Sequence, residues 1–202
     1  MLARKFVIDT SLFVNPHARE KFGKTPVSAV TGFIRAIKKL DLQLYMPPLI
    51  FRELRNFIGS KKAADLALYI KKKAPNMYSL YIPAAVLYDF IEDIRLRLNK
   101  GLRLAEEFAK DNRPDNDAKL GKLRDKYRDS MRAGIVDSRE DFELILLAKE
   151  LDAAIVTSDE GVIKFANKIG CETVDAERFY SLLKAMGRRS SSKTTSKTRK
   201  KK

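Results

Sequence analysis

Four short apolar runs, separated by stretches with helical spacing, restrict this chain more than any other feature. KFVID (residues 5–9) reads as a buried strand that ends on an acid. LQLYM (42–46), DAAIVT (152–157) and CETV (171–174) read as three more strands. After the first, Thr25-Pro26 is an N-cap followed by proline at the first helical position, and Val30, Phe33, Ile34, Ile37 and Leu40 share one helical face. Pro47-Pro48 ends the second strand and opens a helix carrying Ile50, Leu54, Phe57 and Ile58, which Gly59 closes. A further helix is predicted over 63–73, and Asp175 caps a last one, AERFYSLLKAM. Strands alternating with helices require right-handed crossovers, hence a parallel sheet with helices on both faces. The expected class is α/β, with three layers and a central parallel sheet. Sites in such sheets form at the carboxyl ends of the strands.

The middle of the chain obeys another period. Leu87, Ile91, Ile94, Leu98, Gly101, Ala105 and Phe108 follow steps of four and three, a heptad seam. Asn112-Arg113-Pro114-Asp115-Asn116 is a turn, and Leu120, Leu123, Tyr127 and Met131 mark a second helix. The pattern predicts a long helical hairpin over 84–134, inserted between two parts of the α/β domain, 1–83 and 135–187. The second helix matches only part of the seam. The remaining apolar surface is expected to meet another subunit.

Charge narrows the partners. The formal net charge is +15, and from Arg188 onward eight Lys/Arg and no acid supply +8, leaving +7 for residues 1–187. A basic body suits a polyanion such as nucleic acid or an acidic membrane surface. The stretch 188–202 is expected to be a disordered basic tail. Cys171 is the single cysteine, so no intrachain disulfide forms, as suits a reducing compartment. No apolar run approaches the roughly 20 residues of a membrane span, and the start MLARKFVIDTS lacks the apolar core of a signal peptide. A cytoplasmic location is expected.

Against that background one stretch is acidic. VDSREDFELILLAKELDAAIVTSDEG (136–161) holds eight acids and two bases. Asp137 and Asp141 lie one helical turn apart before a greasy helix, Asp159 ends the third strand, and Asp9 ends the first. Bunched carboxylates raise each other's pKa, and a hard divalent cation such as Mg²⁺ relieves that conflict. Each acid also has an ordinary reading. Asp137-Ser-Arg-Glu140 fits a capping box, Asp159 fits a helix cap, and Asp141 suits a helix dipole. Glu53 fits a surface ion pair with Arg52 or Arg55. Asp9, directly after Phe6-Val7-Ile8, is costly to bury without a purpose. His17 is the only histidine, and no phosphate-binding GxxxxGK[ST] loop is present.

FVIDTSLFVNP, the acidic stretch and the α/β pattern together resemble the PIN-domain nucleases, and more closely the minimal protein-only RNase P proteins. These are the homologs of Aquifex RNase P (HARP), also described as RNA ligase partner proteins. The resemblance covers about residues 5–185. It implies endonucleolytic removal of the 5′ leader from precursor tRNA, with Mg²⁺ or Mn²⁺ and without an RNA subunit. It carries the catalytic, metal-holding acids to Asp9, Asp137, Asp141 and Asp159, with Glu143 and Glu160 as outer candidates where some relatives have aspartate. Thr10 and Ser158 are expected to support them. Arg124, Lys126, Arg128 and Arg132 on the hairpin are expected to grip the tRNA backbone, which suits recognition of folded RNA by shape. The resemblance also implies homo-oligomers: dimers formed through the hairpin, assembling into larger rings or screws. The alternatives are a toxin-like PIN ribonuclease, a non-catalytic RNA-binding partner of an RNA-processing enzyme and, more remotely, a phosphatase with Asp9 as nucleophile.

Overall fold

Strand β1 (Lys5–Ile8) has three fully apolar, buried residues and sits at the centre of a five-stranded sheet. The computed structural model describes residues 4–110, 116–132, 136 and 138–198, with backbone alone at 132 and 189–198. β2 (Gln43–Met46) and then β3 (Ile70–Lys72) lie on one side of β1, and β4 (Ala154–Thr157) and β5 (Thr173–Asp175) on the other. Every pairing is parallel, in the order β3-β2-β1-β4-β5. The chain therefore leaves β1 in one direction and returns beside it as β4. The crevice between their carboxyl ends is the topological switch point, where ligands bind in open sheets of this kind.

Helices α1 (Ser11–Val14), α2 (Pro16–Arg19), α3 (Pro26–Ile37) and α9 (Ala176–Thr198) pack together and join the sheet through an aromatic cluster. Phe33 meets Phe13, Phe22 and Phe179, and Phe179 turns its edge to Phe6 of β1 at 5.1 Å. Helices α7 (Arg139–Leu151) and α8 (Glu160–Lys168) pack on each other and on β1, β4 and β5. In α7, Leu144 through Ala148 are all buried. Thr25 and Ser28 form the capping box that starts α3, with Pro26 at its first position.

The sequence expectation needs correcting around β3. A helix was expected over 63–73, but α4 (Pro48–Ala67) stops at Ala67 and residues 70–72 pair with β2. Three residues with two outward lysines carry no alternation to read, and only the distant β2 makes them a strand. α4 itself holds the two helices that the sequence separates, merged across Gly59 at φ +77. That left-handed conformation is one glycine adopts without steric cost. At the other end, α9 remains helical to Thr198, within the stretch read as a disordered tail.

The middle forms the predicted pair of helices, α5 (Ala84–Ala109) and α6 (Asn116–Arg132). Gly101 lets them approach closely: a Cβ there would lie 2.5 Å from the Tyr127 ring. Arg97 donates to the carbonyls of Ser130 and Met131 in the last turn of α6. α6 thus covers one face of α5 from about residue 97 outward, and Leu87, Ile91, Ile94 and Leu98 remain exposed. Among the described residues no helix is long and apolar enough to cross a membrane.

Candidate active site

Asp9 follows β1 at the switch point and is only 6 % exposed. Its backbone N–H donates to Val156 of β4, so the strand pairing itself holds the residue. One carboxylate oxygen, Oδ2, accepts from Ser11 Oγ at 2.6 Å and from Thr157 Oγ1 at 2.7 Å. Thr10 Oγ1 donates to Oδ1 at 3.3 Å. The same hydroxyls tie down the end of β4: the Ser158 N–H donates to Ser11 Oγ and the Asp159 N–H to Thr157 Oγ1, both at 3.0 Å. Thr157, wholly buried, therefore links Asp9 to Asp159. Ser158 Oγ is buried with no hydrogen-bond partner among the described residues, a polar atom that needs an explanation in a native structure.

Glu53, one turn into α4, comes to the same place. Partial burial, followed by the charges of Asp9 and Glu140, pushes its carboxyl above the ordinary value of 4.5, and the Thr10 hydroxyl offsets part of that rise. Glu53 of α4 therefore feels both Asp9, which follows β1, and Glu140 of α7. The expected ion pair with Arg55 does not form, because Arg55 donates instead to Ser60 Oγ. Glu53 was legible only as an ambiguous acid, and Glu140 only as part of a cap. That Glu53 comes close to both Asp9 and Glu140 follows from how α4 and α7 pack, which no local pattern reports.

The start of α7 corrects the capping expectation by one residue. Ser138 is the N-cap: its Oγ accepts from the Asp141 N–H at 3.0 Å and donates to Asp141 Oδ2 at 2.6 Å. Asp141 is thereby fixed in the first turn, while Asp137 lies outside the described residues. Asp159 does cap α8, accepting from the Val162 N–H at 2.9 Å. Glu143 is buried and bridged to the exposed Arg139 at 3.0 Å. Glu160 points to solvent and pairs with Lys164. Among the described residues no three His, Cys, Asp or Glu side chains form a group that could hold a metal ion as they stand. The donors gathered around Asp9 are nonetheless all oxygens with a surplus of negative charge, the set a hard divalent cation takes.

On the hairpin, Lys126 reaches Glu107 at 3.8 Å and lies over the Phe108 ring, and Arg128 pairs with Asp125. Arg124 is exposed, and the Arg132 side chain is outside the described residues.

Sheet order and a carboxylate crevice at the switch point define a PIN-type nuclease, and residues 5–187 match the model of a family described as PINc domain ribonuclease. Curated relatives carry a narrower name. A protein of Pyrococcus horikoshii named RNA-free ribonuclease P is 48% identical over 185 residues, covering 89% of this chain and 91% of that protein. Proteins of the same name from Pyrococcus furiosus (48% over 184 residues; 89% and 92%) and Thermodesulfovibrio yellowstonii (42% over 188 residues; 91% and 96%) are similar along nearly their whole length. The chain belongs to this RNA-free ribonuclease P family of PIN-domain ribonucleases.

Proposed function

We propose that this chain is itself an RNA-free ribonuclease P, a metal-dependent endonuclease that removes the 5′ leader from precursor tRNA. The observation that carries the reading is the buried Asp9, held by three hydroxyls at the switch point, with the carboxylate of Glu53 close enough to feel its charge. Asp9, Asp137, Asp141 and Asp159 would hold Mg²⁺ or Mn²⁺, with Glu53 as a further oxygen donor. When bound, the ion supplies a water of lowered pKa and neutralises charge on the phosphate. The chain's own part is orientation. Thr157 and Ser11 occupy one oxygen of Asp9, which leaves Oδ1, engaged only by a long bond from Thr10, to serve as a ligand. The Asp159 carboxylate keeps one oxygen on the α8 N-terminus and has the other to offer. No side chain need form a covalent bond to phosphorus, and hydrolysis leaves a 5′-phosphate on the tRNA.

The hairpin adds the grip. Arg124, Lys126, Arg128 and Arg132 would bind the tRNA backbone, and the exposed Leu87, Ile91, Ile94 and Leu98 would pair copies into dimers and larger assemblies. Precursor tRNA puts the work in the cytoplasm. The test is incubation of a 5′-leadered tRNA, and of an unstructured RNA of equal length, with and without Mg²⁺. Mg²⁺-dependent cutting at the mature 5′ end of the tRNA alone is expected. Equal cutting of the unstructured RNA supports a toxin-like ribonuclease instead, and binding without cutting supports a non-catalytic partner.

A further inference from the structure

The hairpin's root is fastened to the two helices that carry acids of the site. Phe142 follows Asp141 in α7, and its ring meets the edge of Phe165 in α8 at 5.5 Å. Phe165 in turn meets Phe90 of α5 at 6.5 Å, nearly perpendicular. One turn along α8, Lys168 bridges to Asp89 at 3.3 Å and Asp93 at 3.6 Å, the two acids on the neighbouring stripe of α5. Val86, one turn before Phe90, is buried in the main core. The chain leading into α5 is pinned as well: Glu150 of α7 takes the Lys73 ammonium and the Asn76 N–H, both at 2.6 Å, and these bonds hold its carboxyl below the ordinary range. From Arg97 outward the partner of α5 is α6.

We infer that the Phe142–Phe165–Phe90 contact and the Lys168 bridge to Asp89 and Asp93 set the angle of the hairpin against the catalytic acids, and so set which phosphate is cut. The inference rests on the reading that the hairpin holds the substrate. Simple leverage gives it its size. Lys126 pairs with Glu107, which is 17 residues beyond Phe90, so the grip lies about 25 Å along the helix from the fastening. A tilt of about 10° at the root would move it by about 4 Å, the same order as one nucleotide step along a strand (roughly 3.4 Å of axial rise in duplex DNA). Phe90, Phe142 and Phe165 are thus positioning residues: they act through the hairpin and through Asp141, not on the RNA. The fastening sets the cut in the same way whether the substrate lies on the hairpin of the same copy or on that of a copy joined through it.

The experiment maps the 5′ ends released from precursor tRNA by wild type, Phe90→Ala, Phe165→Ala, Phe165→Leu and Lys168→Glu, with thermal unfolding of each alongside. Cut position is read only from molecules that fold and cut, so loss of stability alone cannot imitate the effect. The expected result is a single wild-type cut that spreads to neighbouring phosphates in the alanine variants. The miscut fraction should rise at least about tenfold, with Phe165→Leu restoring most of the fidelity. Lys168→Glu leaves the apolar packing intact and sets a third acid beside Asp89 and Asp93. It should miscut likewise, and carries the test if the aromatic truncations do not fold. Variants that cut more slowly but at the single wild-type position overturn this inference and leave the proposed function standing. A wild type that cuts no precursor tRNA overturns both.

Discussion

The α/β body and the hairpin depart from the usual rules of burial in opposite ways. In the body a carboxylate, Asp9, lies 6 % exposed beside three apolar strand residues. On the hairpin Leu87, Leu98 and Leu102 stand more than half exposed. A buried charge and an exposed apolar stripe are each unfavourable alone. On the function proposed above, each is resolved by something outside the single chain, a cation in one region and a second surface in the other. The difference teaches that the body is organised around an electrostatic deficit and the hairpin around a hydrophobic one.

The sharpest way to break the comparison is Asp9→Asn. The Asn carbonyl still accepts from Thr157 and Ser11, so the fold should survive. Cleavage should fall by on the order of 10³ or more, as several kcal/mol of transition-state stabilisation are lost. Mg²⁺ should raise the Tm of the wild type and not of the variant. Single-turnover cleavage and thermal melts check the two halves.

Next comes the hairpin. Replacing Leu87, Ile91, Ile94 and Leu98 with Ser should leave monomer stability within about 0.5 kcal/mol per site, since these side chains are exposed. It should dissolve any self-association, which light scattering reads directly. An unchanged molar mass would sever the stripe from assembly.

A smaller effect is expected inside the hairpin. Gly101→Val drives a branched side chain into the Tyr127 ring and should cost about 1–3 kcal/mol. Hydrogen exchange should show the loss in α5 and α6, with the sheet spared.

The smallest is at Glu53. Its folded carboxyl holds a proton to higher pH than in the unfolded chain, so its contribution is complete below the ordinary value of 4.5 and is lost as pH rises through the raised one. Ionised Glu53 therefore opposes folding at neutral pH. Glu53→Gln should remove that loss, raising Tm slightly above pH 5 and not below pH 4, by an amount kept small by solvent screening.

Much of this molecule is readable in one dimension. KFVID, LQLYM and DAAIVT announce β1, β2 and β4 because a buried strand must be apolar along its whole length. The 4-3 steps from Leu87 to Phe108 announce α5 because a helix repeats on that period. Asp9 stands out because an acid after such a strand needs a reason. β3 is not readable: residues 70–72 become a strand only beside β2. The cap at Ser138 escapes by one position, because neighbouring Asp and Ser are equally good caps and only the chain's path into α7 chooses between them.

Strand content, a helical insertion, basic charge and a set of candidate acids follow from the sequence alone, since each depends on local period or composition. Tertiary structure alone decided that β1 and β4 are neighbours, that Thr157 ties Asp9 to Asp159, and that Glu53 comes close to Asp9 and Glu140. Asp9 and Thr157, which bond directly, are 148 positions apart. Electrostatic and hydrogen-bonding forces act over a few ångströms of space, and only the folded chain fixes which residues fall within that reach.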